Sequence, residues 1–162
     1  VIDTPATRAI AAAGLDARVV RTRVPSSAEE SAALQGIDVE RLVRTIVIRR
    51  AADQYVFVLV PGGRQIDWKK LRTALGERRL SLPDADEARG ATGYERGAIT
   101  PFGSVTAWPV VADATIRTLG TVAIGAGARG VNLHIDAARL LAALDADEAD
   151  LTAPAEPPPV GA

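Results

Sequence analysis

Three segments of this 162-residue chain carry residue types that could act on a ligand. The first is Arg44, a lone cation in the apolar run Leu42-Val43-Arg44-Thr45-Ile46-Val47-Ile48. On a central strand that charge needs an anionic partner or a polar cleft, whereas on an edge strand it simply faces water. The second is Thr92-Gly93-Tyr94-Glu95-Arg96-Gly97-Ala98-Ile99-Thr100-Pro101-Phe102-Gly103. A loop of this length is uncommon in a compact domain unless it serves a ligand. An Ω-loop packed on its own side chains would meet the same description. The third is Gly125-Ala126-Gly127-Ala128-Arg129-Gly130, a literal GxGxxG. A dinucleotide site needs a helix after that fingerprint. Here Val131-Asn132-Leu133-His134-Ile135-Asp136 alternates as a strand does, so the helix is missing. The glycines then read as a hairpin turn, or as a nest of backbone N–H groups able to hold an anionic oxygen.

Other chemistry is scarce. The chain has no Cys and one His, which excludes a disulfide scaffold and a Cys-ligated zinc or iron-sulfur site. It also argues against His-based metal sites. Alternation puts Val131, Leu133 and Ile135 on one face of their strand and Asn132, His134 and Asp136 on the other. His134 is therefore expected to be exposed, with no nucleophile or partner acid beside it. No GxSxG elbow, Walker A loop or HExxH pair is present.

The elements that must position these residues follow from caps and periodicity. Thr4-Pro5 opens a helix that Gly14 stops. Residues 17–23 read as a strand. Ser26 and Glu29 form a capping box for a helix ending near Gly36, and Asp38 can cap a short turn through Leu42. Residues 43–50 and 54–60 read as a strand hairpin. Asp67 caps a helix through Leu75, closed by Gly76. Residues 80–82 suit a short strand, and Pro83 opens a helix toward Arg89. Residues 105–111 read as an edge or interrupted strand because of Pro109. Residues 121–124 and 131–135 are strands, and Asp136 caps a last helix through Leu144. Several strand pairs lie too close in sequence for helical crossovers, so an α+β class with a mixed sheet is expected. One domain spans 1–152, with a Pro-rich disordered tail at 153–162.

Composition is that of an ordinary soluble globular domain, 48% apolar and 24% charged. No apolar run approaches a membrane span, so no membrane partner is expected, and the lack of a targeting signal makes the cytoplasm the default location. The net charge of −1 is unevenly spread. Residues 41–79 hold ten basic side chains against Asp53, Asp67 and Glu77, while six acids face Arg139 from Asp136 onward. A basic middle can attract a polyanion, and an alternating solvated face would look similar.

In order along the chain, these segments resemble the YbaK/EbsC family of aminoacyl-tRNA deacylases, related to the editing domain associated with prolyl-tRNA synthetases. The resemblance rests on Gly36-Ile37-Asp38 leading into Val43-Arg44-Thr45-Ile46-Val47, and on Val58-Leu59-Val60-Pro61-Gly62. It continues through Ile66-Asp67-Trp68-Lys69-Lys70-Leu71, then Thr92-Gly93-Tyr94 with Gly97, Pro101, Phe102 and Gly103. Pro109-Val110-Val111-Ala112-Asp113 and Gly125 to Gly130 complete it. It implies a mixed, strongly curved, barrel-like sheet with surrounding helices. It implies trans-acting, metal- and cofactor-independent hydrolysis of the ester joining a mischarged small amino acid to tRNA, often tRNA for proline. The implied partners are mischarged tRNA and an aminoacyl-tRNA synthetase. Arg44 stands where the family usually has Lys, and Gly125 where some members carry Ser. Arg keeps the charge but not the compact ammonium.

With no protein nucleophile in sight, a positioned water can attack the already activated ester. Arg44 would anchor the terminal adenosine or its phosphate, and backbone N–H groups near Gly97 and Gly127 would hold the oxyanion. A ribose hydroxyl of the substrate would shuttle the proton. Thr92, Gly93, Tyr94, Ile99, Pro101, Phe102, Gly125 and Arg129 would shape the substrate pocket. Arg64, Lys69, Lys70 and Arg72 would hold tRNA phosphates. A tRNA-binding module without hydrolysis and a hydrolase for another small activated ester are the other readings.

Overall fold

The computed structural model describes residues 2–156. Fourteen labelled elements follow one another along the chain. They are α1 (Pro5–Ala13), β1 (Arg18–Arg21), α2 (Ala28–Gln35), β2 (Leu42–Ala51), β3 (Gln54–Pro61), β4 (Arg64–Ile66) and α3 (Trp68–Leu75). Then come α4 (Ala85–Thr92), β5 (Val110–Asp113), β6 (Thr121–Gly125), β7 (Val131–Asp136), α5 (Ala137–Ala143), β8 (Asp147–Ala149) and β9 (Thr152–Pro154). Seven strands form one mixed sheet in the order β1-β7-β6-β2-β3-β5-β8, and β4 pairs with β9 in a second ladder. The large sheet thus ends at β1 and β8, and no ladder joins those two strands to close a barrel among the described residues.

The β2–β3 hairpin is the centre of the molecule. Every residue of β3 after Gln54 is buried, because both faces of the sheet are covered there. Val43, Val47, Phe57 and Leu59 enter one core, shared with Ile10 of α1 and Leu140 and Leu141 of α5. Ile48, Val56, Val58 and Val60 enter the other, with Leu71 of α3 and Leu151. Each such fully buried side chain contributes about 1.5–3 kcal/mol. Arg44 and Ile46 alternate with Val43 and Val47, so they lie on the second face.

Several local expectations shift by a residue or more. Ser27, not Ser26, caps α2 by accepting from the Glu30 N–H. The Glu30 carboxylate instead accepts from the Ser26 N–H and hydroxyl. Asp38 precedes a 3-10 turn at Val39–Arg41 without a side-chain cap. Residues 80–82 contribute only a bridge between Ser81 and Arg49. The strand expected at 105–111 begins at Val110 and lies inside the sheet between β3 and β8. Pro109 has no N–H to give a ladder, but its carbonyl accepts from Phe57 N–H at 2.9 Å. At the C-terminal end, β9 carries the ordered chain past residue 152, pairing Ala153 with Gln65 and Pro154 with Arg64. The rest of the expected tail, from residue 157, lies outside the described residues.

Two buried polar groups fasten this frame. Asp113 is 1% exposed. Burial pushes its carboxyl up, but hydrogen bonds from Thr115 and the Leu151 N–H outweigh that and leave its pKa lowered. His134 is also buried, because α2 covers that face of β7. Its Nε2 donates to Gln35 Oε1 at 3.0 Å. The expected exposure fails because strand alternation says which face a residue takes, not whether a helix covers that face.

Burial first, then the Arg18 charge, lowers the His134 pKa. The unfolded chain therefore binds the proton more readily below the ordinary value of about 6.5. Stability is complete above that value and is lost as pH falls toward the depressed folded pKa. Urea unfolding from about pH 7.5 to about pH 5.5 should show this decline in the native protein and a flat profile in His134→Gln. A flat native profile would mean that the imidazole is not held neutral.

Candidate functional site

The site forms where the large sheet parts. Strand β2 pairs with β6 only at Leu42–Ala123 and Val43–Ile124. Six residues on, Arg49 and Ser81 exchange backbone hydrogen bonds of 2.8 and 3.1 Å. Between these points the β2 edge has no strand beside it. The Gly62 N–H donates to Leu42 C=O across the hairpin, so even-numbered β2 residues turn their backbone groups toward β3. The N–H and C=O groups of Thr45 and Val47 must point the other way, into the gap.

That gap is a cavity of about 370 Å³, lined by Arg44, Thr45, Val47, Gly97, Ile99 and Gly125 among others. The same face-alternation that points Arg44 away from Val43 brings it to the mouth of the cavity, where it is exposed. It donates to the Arg64 carbonyl of β4. Burial around the guanidinium lowers its pKa, and nearby Glu29 opposes that shift. It stays charged at any ordinary pH. Ser31 of α2 and Asn132 of β7 also line the cavity. Gln35 Nε2 donates to Ser31 Oγ at 2.9 Å, which leaves the Ser31 hydroxyl proton free to point elsewhere. No carboxylate or imidazole is among the lining residues.

The loop over residues 92–103 divides into lining and anchors. Gly97 and Ile99 reach the cavity, together with Arg96. Thr92, Gly93, Tyr94, Pro101 and Phe102 lie outside its lining. Thr92 is buried, and its hydroxyl donates to the Ala88 carbonyl and accepts from the Tyr94 N–H. Gly93 ends α4 at φ 83°. The buried Tyr94 hydroxyl donates to the Phe102 carbonyl at 2.6 Å. Pro101 is partly buried beside them.

Gly127 is likewise a pin rather than a wall. A Cβ there would stand 2.9 Å from the Tyr94 ring and 3.2 Å from Thr4, and its φ of +89° disfavours any side chain. Thr4, which caps α1, donates its hydroxyl to the adjacent Ala126 carbonyl at 2.7 Å. Arg129 lies across Gly97 and donates to the Arg96 carbonyl at 3.1 and 3.3 Å. The hairpin turn, the loop and the start of α1 therefore hold one another.

The four residues expected to hold phosphates have separate surroundings. Arg64 donates to Thr152 Oγ1 at 2.6 Å and stands 4.0 Å from Asp113, tying β4 to β9. Lys70 pairs with Asp150 at 3.0 Å and donates to the Thr152 carbonyl. Lys69 borders the same Asp150 hollow. Only Arg72 turns toward other arginines. Sequence reasoning missed Ser31, Thr45 and Asn132. Thr45 sits in the same run as Arg44, and Asn132 shares a face of β7 with His134 and Asp136, so no signal in the sequence singled either of them out.

Among the described residues no group of His, Asp and Glu could hold a metal ion, and no helix is long and apolar enough to cross a membrane. A family model for the aminoacyl-tRNA editing domain matches residues 23–143. The EbsC protein of Enterococcus faecalis, named as a candidate Cys-tRNA(Pro)/Cys-tRNA(Cys) deacylase, is 26% identical over 78% of this chain and 77% of its own. The proline–tRNA ligase of Thermosipho melanesiensis is 29% identical over 66% of this chain but only 19% of its own length. A crystal structure of a candidate trans-editing enzyme for prolyl tRNA synthetase superimposes with a TM-score of 0.84 at 25% identity, covering 94% of this chain and 99% of that one. The chain belongs to the aminoacyl-tRNA editing domain family, of the YbaK/EbsC-like kind.

If the Tyr94–Phe102 bond holds the loop, Tyr94→Phe should cost about 1–3 kcal/mol, because it strands a buried carbonyl. Urea unfolding would give the cost. Amide exchange should speed up within residues 95–101 while β3 stays protected. An unchanged loop would show that packing alone suffices there.

Proposed function

We propose that this protein is a trans-acting aminoacyl-tRNA deacylase, cytoplasmic and metal-independent, that hydrolyses the ester of a mischarged small amino acid on tRNA. Family membership supports the general role. The observation that carries the mechanism is the seam between β2 and β6, where fixed backbone dipoles and two arginines, Arg44 and Arg96, surround a small cavity with no acid, imidazole or thiol in its lining.

An aminoacyl ester needs no protein nucleophile, because it is already activated. In the proposed reaction a water held in the seam adds to the ester carbonyl, and the bond to the ribose oxygen breaks. Backbone N–H groups of Gly97, Thr45 and Val47 are the candidates to stabilise the oxyanion. Gly127 is less suited, since it sits beneath Tyr94 and Thr4 and not on the cavity wall. The neighbouring ribose hydroxyl carries the proton from water to leaving oxygen. Carbonyls of Thr45, Val47 and Gly125 can accept from the substrate's ammonium group. Val43, Val47, Ile99 and Ala88 give the cavity apolar walls, which exclude bulk better than they reject smaller side chains. Arg44 at the mouth anchors the terminal adenosine or its phosphate. The tRNA for proline is the first substrate to try, and a synthetase is a further partner.

Arg44 gives the direct test. Arg44→Ala should slow single-turnover hydrolysis of mischarged tRNA about 10- to 150-fold, the equivalent of a lost charge-assisted contact of roughly 1.5–3 kcal/mol. The fold should survive, because the side chain is exposed. Arg44→Lys should keep or raise the rate. Equal rates for the native and Ala proteins would make Arg44 a bystander. A native protein inactive on every aminoacyl-tRNA, with activity appearing in Arg44→Lys, would instead favour a tRNA-binding module that has lost hydrolysis.

A further inference from the structure

A second hollow lies beside the first. It has a volume of about 470 Å³ and gathers Arg49, Arg50, Arg72, Arg78 and Arg79. These come from the far end of β2, from α3 and from the turn after it. Two of the five are answered by carboxylates. Arg49 stands 3.5 Å from Glu87, and Arg50 stands 3.1 Å from Glu77 and also donates to the Leu75 carbonyl. Arg72, Arg78 and Arg79 meet no carboxylate among the described residues. Arg78 and Arg79 are exposed, and Arg72 is partly so. Three like charges held together without acids raise the local potential and favour a polyanion.

The position of this hollow matters as much as its charge. The short segment over residues 80–83 is its common wall with the seam cavity. Leu80 and Ser81 line the arginine side, and Leu82 and Pro83 line the other. Two backbone hydrogen bonds between Ser81 and Arg49 fix that wall to β2. Leu82 is 61% exposed, an apolar ledge between the two hollows on which a nucleobase can lie. Arg64 and Lys70 of the same segment do not offer this. Arg64 is committed to Thr152, and Lys70 to Asp150.

We propose that the arginine hollow binds the phosphodiester backbone of the RNA whose esterified end enters the seam, with Arg72, Arg78 and Arg79 as the phosphate-holding residues. This rests on the deacylase reading for the direction of the chain, but its binding test does not need the ester. Guanidinium forks suit phosphate oxygens geometrically, and each phosphate neutralised releases counterions.

The experiment measures affinity for uncharged tRNA by filter binding between about 50 and about 200 mM salt. The native protein should weaken roughly 40-fold across that range if three phosphates are held. Arg72→Gln/Arg78→Gln/Arg79→Gln should bind at least about tenfold more weakly at low salt and lose about two to three units of the log–log salt slope. Arg78→Gln/Arg79→Gln, both exposed, keeps the test readable if Arg72 also serves the fold. Arg8→Gln/Arg21→Gln, exposed residues of α1 and β1, should bind as the native protein does. Native affinity and slope in both hollow variants would overturn the proposal, as would an equal loss in the Arg8/Arg21 control. Because no ester is present, deacylation can fail while this site stands, and the reverse.

Discussion

The early parting of β2 and β6 is the constraint on which the site depends. Parallel pairing stops after Val43 because β6 turns away at Gly125. The next residue, Ala126, donates to the Val131 carbonyl and accepts from Thr4 Oγ1. The hairpin turn is thus drawn toward α1 and Tyr94 instead of running on beside β2. A central strand is left with an unpaired edge, which in an exposed sheet would invite pairing with another chain. Here the loop of residues 96–99, the wall at residues 81–83 and α2 ring the opening and narrow it to a small cavity. Backbone groups normally spent on a ladder are left facing the cavity, and they belong to a hairpin whose second strand is buried from Tyr55 to Pro61.

The anchors around that opening make it rigid at its rim. Gly103 shows how closely the parts fit, since a Cβ there would stand 2.5 Å from the Pro5 carbonyl. The end of the loop therefore lies directly on the first turn of α1. Tyr94, Thr4 and Gly127 form a second contact of the same kind. These contacts fix the backbone at Gly97 and Gly125 where it borders the cavity.

Much of this was legible in the sequence, and the remainder failed for identifiable reasons. Caps at Thr4, Asp67 and Asp136, with stops at Gly14, Gly36 and Gly76, located the helices, because capping is a local interaction. Gly125 to Gly130 reads as a hairpin turn because strict alternation after Gly130 leaves no room for a helix, and in the fold β6 and β7 pair antiparallel across it. The convergence of the two glycine-rich segments with Arg44 was readable through the family resemblance and through the need of a strand-borne cation for polar surroundings. The division within the loop was not readable. Glycine at position 97 serves an opening, while at 127 it serves a close contact, and both look alike in a string of letters. Thr45 and Val47 matter through their backbone, so their side chains carried no message. Burial of His134 and the ordering of Thr152 to Pro154 depend on partners distant in sequence, α2 and β4.

The basic middle of the chain shows how charge alone misleads until partners are known. Ten cations between residues 41 and 79 fit either a polyanion-binding face or a solvated face of alternating charge. In the fold they separate by the acids they meet. Arg64 and Lys70 are drawn toward Asp113, Asp150 and Thr152, where they tie the C-terminal strand to the sheet. Arg49 and Arg50 hold Glu87 and Glu77, which fixes the ends of α3 and α4 against β2. Arg44 has a backbone carbonyl as its hydrogen-bond partner, and Glu29 acts on its charge only through space. The acidic C-terminal stretch thus does more than balance the total near zero. Its Asp150 meets Lys70 of α3, whereas Arg72, Arg78 and Arg79 meet no carboxylate among the described residues.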